Sequence, residues 1–152
     1  MKKVSLFVFA GLMALASFAC ATKTGTPVEY SKACDAENEK KYIEVTGFLD
    51  DGGSMFCSNT GGGPVRCGFK LLENPGAGKG FTADIPQGTL ANTVEKLDRG
   101  YKKEDIKVRD DAGDVIDLRQ KVKVVGLQNV AKDPTNAGQD VCYLTVVKIE
   151  KQ

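Results

Sequence analysis

A small, mainly-β barrel of five strands is the fold this sequence predicts, with a helix before it and a helix and hairpin inserted ahead of the fourth strand. Three observations carry that expectation. Short apolar/polar alternations recur along the chain, the pattern of half-buried strands. Turn clusters such as "DDGGS", "NTGGGP" and "ENPGAGKG" punctuate them. The 152 residues carry a formal charge of only +1 and show no internal repeat, which suits one ordinary domain.

The first residues precede that domain. Lys2 and Lys3 open an uncharged apolar run, Val4 to Ala19, and small residues follow, the three parts of an export signal. The run is shorter than the roughly 20 apolar residues of a membrane span. Residues 1–19 (or 1–21) are therefore expected to be a signal peptide, 20–28 a tether, and 29–152 a single domain. Two cleavage schemes remain open. Cys20 is the candidate lipidation site of a lipoprotein, although Ser17, Phe18 and Ala19 match the usual box only at the last position. Alternatively, Ala19-Cys20-Ala21 satisfies an Ala-x-Ala site, with cleavage before Thr22 and release into the periplasm. Lipidation would attach the chain to a membrane surface without spanning it. Losing residues 1–19 removes two lysines and no acid, which takes the charge to −1.

Pro27 stands where a helix can start, and neither Gly nor Pro interrupts 28–41, so a helix is expected there. In "YIEVTGFL" the period changes to two: Ile43 and Val45 face one way, Glu44 and Thr46 the other. Gly47, in phase with the apolar set, permits a bend or bulge. "MFCS" reads as the second strand and "VRCGFKLL" as the third, with Val65, Cys67, Phe69 and Leu71 on one face. Residues 73–114 read as an insertion. Within it, "TLANTVEKLDRGY" is expected to form a helix with Leu90, Val94 and Leu97 on one side. "DIKVRDDAGDVIDL" is expected to be a hairpin turning at Asp111-Ala112-Gly113. "KVKVVGLQNV" and "VCYLTVVKIE" are the clearest strands. In the second, Cys142, Leu144 and Val146 share a face, yet Val147 and Ile149 are apolar as well, as in a strand covered on both sides. Five strands with a helix between the third and fourth is the oligonucleotide/oligosaccharide-binding (OB) arrangement.

The order of "EYSKACDAENEKKYIEVTG", "VRCGF", "KVKVVG" and "CYLTVVKI", from about residue 29 to 150, resembles a family of exported bacterial OB-fold proteins. That family is related to the OB domains that bind tRNA anticodons. The resemblance implies fold ancestry and carries no implication that this chain binds tRNA. It also bears on the cysteines. Apart from Cys20 there are four, Cys34, Cys57, Cys67 and Cys142, an even number that suggests two disulfides in an exported chain. In an OB barrel the third and fifth strands are neighbours, which favours Cys67–Cys142 and leaves Cys34 for Cys57. The competing scheme joins Cys57 to Cys67 across the hairpin, and four cysteines allow three connectivities.

Function is less legible. With no histidine, Ser-His and Cys-His catalysis are excluded. Neither "GGGP" nor "GAGKG" has the context of a phosphate loop, and no carboxylate pair stands out, so the expectation is not an enzyme and no cofactor. No CxxC is present, and no metal is expected. Asp110, Asp111, Asp114 and Asp117 do not follow the EF-hand spacing and suit a tight turn. The candidate ligand face is Phe56, Arg66 and Lys70: Phe56 is out of phase with Met55 and Cys57, while Phe69 belongs with the core. The expected role is a binding or interaction module in the periplasm or at a membrane surface, with a protein or small-molecule partner. The alternative is a nucleic-acid or oligosaccharide binder using the barrel face, with nucleic acid disfavoured by the charge.

Overall fold

The computed structural model describes residues 23–53, 55–59, 62–132 and 140–152; Cys20, the expected signal peptide and most of the loop before the last strand lie outside them. Among the described residues nine strands form: β1 (Thr26–Pro27), β2 (Tyr42–Asp50), β3 (Phe56–Ser58), β4 (Arg66–Leu72), β5 (Gly80–Pro86), β6 (Val108–Arg109), β7 (Val115–Ile116), β8 (Lys121–Lys132) and β9 (Asp140–Lys151). Five of them close into a ring, β2–β4–β5–β9–β8 and back to β2. Every pairing in the ring is antiparallel except β5 with β9. First strand beside second and fourth, third parallel to fifth: this is the OB topology. The ring encloses the core, where Ile43, Leu49, Phe69, Leu71, Ile85, Leu144 and Ile149 are fully buried.

Strand identities differ from the sequence reading in one respect with consequences. "VRCGFKLL" is the second strand of the ring rather than the third. The third is β5, "GFTADIP", which lies inside the stretch read as insertion. "MFCS" lies outside the ring as β3, an edge strand paired to β4. This corrects the favoured disulfide pairing. β5 does run beside β9, but β5 carries no cysteine. The bonds are Cys34–Cys142, tying the N-terminal segment to β9, and Cys57–Cys67, joining directly opposed residues of β3 and β4.

Neither expected helix forms. Residues 30–41 make two 3-10 turns, Tyr30–Lys32 and Ala36–Asn38, separated by Asp35 in extended backbone. The side chain of Asn38 donates to the carbonyl of Lys32, a side-chain bond that competes with helix. Lys40 takes a positive φ, so the chain leaves in a different direction. The stretch read as a tether contributes β1, which pairs parallel to β2. In the region of the second helix, Asn92 has φ 60°, incompatible with helix, and its Oδ1 accepts the amide of Ile149 at 2.7 Å. Leu90, expected on an inward helix face, is 77% exposed. Val94, Val108 and Ile116 join the core instead, through bridges to Gln87 and Val108 and through the hairpin β6–β7. That hairpin turns at 111–113 as its sequence suggests.

The doubly apolar pattern of β9 has a different cause from the one expected. Val125 of β8 faces Lys148 but Gly126 faces Val146, which leaves Val147 as an extra residue. This bulge reverses the inward parity, so Leu144, Val146 and Ile149 all reach the core.

The two disulfides close loops of very different length, with sequence separations of 108 and 10. Chain entropy then predicts that Cys34→Ser/Cys142→Ser costs about 5 kcal/mol and Cys57→Ser/Cys67→Ser about 3 kcal/mol. Urea unfolding of the two double variants checks this, and the reverse order would refute it.

Candidate ligand-binding face

β4 alternates strictly. Cys67, Phe69 and Leu71 point inward and are fully buried, so Arg66, Gly68 and Lys70 point outward. On β5, Ala83 and Ile85 are buried, and Thr82 and Asp84 face out beside Lys70 and Gly68. β3 lies along the far edge of β4 with Phe56 opposite Gly68, and Phe56 is 75% exposed. These residues surround a cleft of about 290 Å³. It brings together all three residues of the sequence-derived ligand face, Phe56, Arg66 and Lys70. Gly68 forms its floor: a Cβ there would stand 3.4 Å from Thr82 Cγ2 and 3.5 Å from Asp84 Oδ1, inside the cleft.

The two cations are not equivalent. Arg66 reaches across β5 and donates to the carbonyls of Asp84 at 3.1 Å and Val146 at 3.2 Å. It thereby clamps the parallel β5–β9 junction from outside, and desolvation lowers its pKa. Lys70 donates one hydrogen bond, to Thr82 Oγ1 at 3.1 Å, and keeps two donors.

Sequence reasoning missed Asp84. Among the described residues its carboxylate makes no hydrogen bond and no ion pair, although the residue is half-buried. Burial raises its pKa above the ordinary aspartate value, against the opposing pull of Arg66 and Lys70. Asp51, also at the rim, is matched by Lys103 at 2.7 Å. The charged residues that line the cleft, Asp51, Asp84, Arg66 and Lys70, sum to zero formal charge.

Elsewhere, Asp110 Oδ1 accepts the amides of Ala112 and Asp114, and so serves the hairpin turn. Among the described residues no three His, Cys, Asp or Glu side chains gather as a metal cluster, and no helix is long and apolar enough to cross a membrane.

No protein-family model matches the chain, and no curated protein does. Among solved structures it is similar to a putative aspartyl-tRNA synthetase from Leishmania major Friedlin, at 15% identity and a TM-score of 0.46. The match covers 88% of this chain and 22% of that one, so the chain spans about a fifth of that protein's length.

A carboxylic acid whose pKa is raised on folding contributes stability while protonated and loses it as the pH rises through the folded-state value. Asp84→Asn should therefore raise the melting temperature by a few degrees at neutral pH. The difference should vanish as the pH falls through the carboxylate range, which thermal unfolding across pH measures.

Proposed function

We propose that this chain is an exported, non-enzymatic binding module that works through the barrel face, and that its ligand is an oligosaccharide. The observation that carries this reading is Asp84, a half-buried acceptor without a hydrogen-bond partner among the described residues, in the same cleft as an exposed aromatic ring. A desolvated acceptor gains most from a ligand that donates to it, and sugar hydroxyls are such donors. The Phe56 ring offers a platform for the apolar face of a pyranose, and Lys70 adds donors for ring and hydroxyl oxygens. Sugar recognition needs both donors and acceptors, which a charge-balanced cleft supplies. A polyanionic strand would instead meet Asp84 and Asp51 in the same cleft, and the balanced charge gives it little counterion release.

Export rests on the sequence of residues 1–21, and two disulfides fit an oxidising compartment. A lipid on Cys20 would hold the face close to a membrane surface; cleavage before Thr22 would release it. The absence of histidine and of any recognisable nucleophile–base pair supports binding without catalysis.

The test is a glycan array probed with the mature chain and with Phe56→Ala. The reading expects capture of at least one glycan class, weakened about tenfold by Phe56→Ala while the circular dichroism spectrum is unchanged. Salt-sensitive capture of single-stranded oligonucleotides with no glycan bound would overturn it in favour of the nucleic-acid alternative.

A further inference from the structure

A second cleft, of about 550 Å³, adjoins the first and shares Gly52 and Lys70 with it. Its character is different. Lys70, Lys79 and Arg119 line it, and Asp50 is the one carboxylate among the lining residues. That carboxylate is already occupied: Oδ1 accepts the amide of Gly52 at 2.8 Å, and Oδ2 accepts Nε of Arg119 at 3.0 Å. These bonds, with Lys103 nearby, outweigh burial and hold the Asp50 carboxyl below its ordinary pKa. Asp50 therefore acts as a fixed anion that aims the guanidinium.

Arg119 sits at φ +67°, in the left-handed region that Gly or Asn occupies at less cost. Its amide donates to the carbonyl of Leu49, which locks that backbone. With Nε committed to Asp50, its two terminal amino groups make no hydrogen bond among the described residues, and the side chain is 60% exposed. Lys79 likewise has no partner among the described residues. It lies on the glycine-rich turn between β4 and β5. Gly78 there has neither a positive φ nor a neighbour within 4 Å of a Cβ built on it, so packing does not explain this glycine. The amides of Gly76 and Gly78 are also unpaired among the described residues. A bare backbone at this point leaves room for a ligand to approach closely.

We propose that this cleft is an anion subsite that takes a phosphate group, held by Lys79, Lys70 and the forked terminus of Arg119, with the 76–78 backbone lying against it. A guanidinium fork and lysine point charges are the donors that phosphate oxygens accept. The proposal shares Lys70 with the sugar reading but does not need Phe56 or Asp84, so a Phe56→Ala variant separates the two.

The test is an amide-resolved NMR titration of the mature chain with inorganic pyrophosphate. Saturable shifts should cluster at residues 76–80 and at the Arg119 Nε. Lys79→Glu, on an exposed turn, should weaken binding about tenfold or more. Lys96→Glu, the same charge change on an exposed lysine outside the cleft, should leave it unaltered, as should Phe56→Ala. Shifts spread over many lysines, or identical binding by Lys79→Glu, would overturn the proposal. Two competitors then identify the source of the phosphate. Displacement by phosphatidylcholine vesicles carrying phosphatidic acid points to a lipid headgroup, and displacement by glucose 6-phosphate alone points to a soluble phosphorylated sugar. If neither displaces pyrophosphate, the phosphate-group assignment is wrong.

Discussion

The close approach of β4 to β2 at Gly47 is the constraint on which the rest of the barrel depends. Up to Phe48, β2 pairs with β8; from Phe48 onward it pairs with β4. One strand must therefore serve both sides of the closure, and it changes partners where Gly47 sits. A Cβ at that point would lie 2.8 Å from Leu71 Cγ and 2.8 Å from the carbonyl oxygen of Leu72. The oxygen belongs to the partner backbone and cannot turn aside as a side chain could. Without this approach the ring would open between β2 and β4, leaving the Lys70–Leu72 end of β4 without a neighbour on that side and the enclosed core open to water.

Both clefts inherit their geometry from that closure. Asp50, the residue that aims Arg119, is the last of β2 and faces Lys70 in the β2–β4 register. Arg66 then fastens the opposite side of the ring, bonding carbonyls on β5 and β9 at the parallel junction. Phe56 stands over the face because Cys57–Cys67 holds the short β3 against β4, where three residues of pairing alone would hold it weakly. The mixed-charge cleft and the cationic cleft thus share Lys70 and a common support.

Much of this was legible in the residues. Alternation in "YIEVTGFL" and "VRCGFKLL" shows the inward faces of β2 and β4 and turns Arg66 and Lys70 outward, and the phase of "MFCS" adds Phe56 to the outer surface. β5 was missed although "FTADI" alternates well, with Phe81, Ala83 and Ile85 against Thr82 and Asp84; the preceding glycine-rich turn made the whole stretch look irregular. Losing β5 shifted the strand count, and with it the disulfide pairing and Asp84. The two absent helices have a different origin. Their composition tolerates helix, but long-range partners take the backbone elsewhere: Cys34 bonds Cys142, and Asn92 caps the amide of Ile149. The alternation of β9 misled for a third reason, since a bulge at Val147 swaps inward parity without leaving a local mark.

The most direct test of the account is residue-resolved hydrogen exchange on Gly47→Val. Closure through Gly47 predicts lost protection for the amides that face across β2–β4, at Asp50, Lys70 and Leu72, while the β8–β9 ladder stays protected. Wild-type protection at those β2–β4 amides in the variant would contradict it.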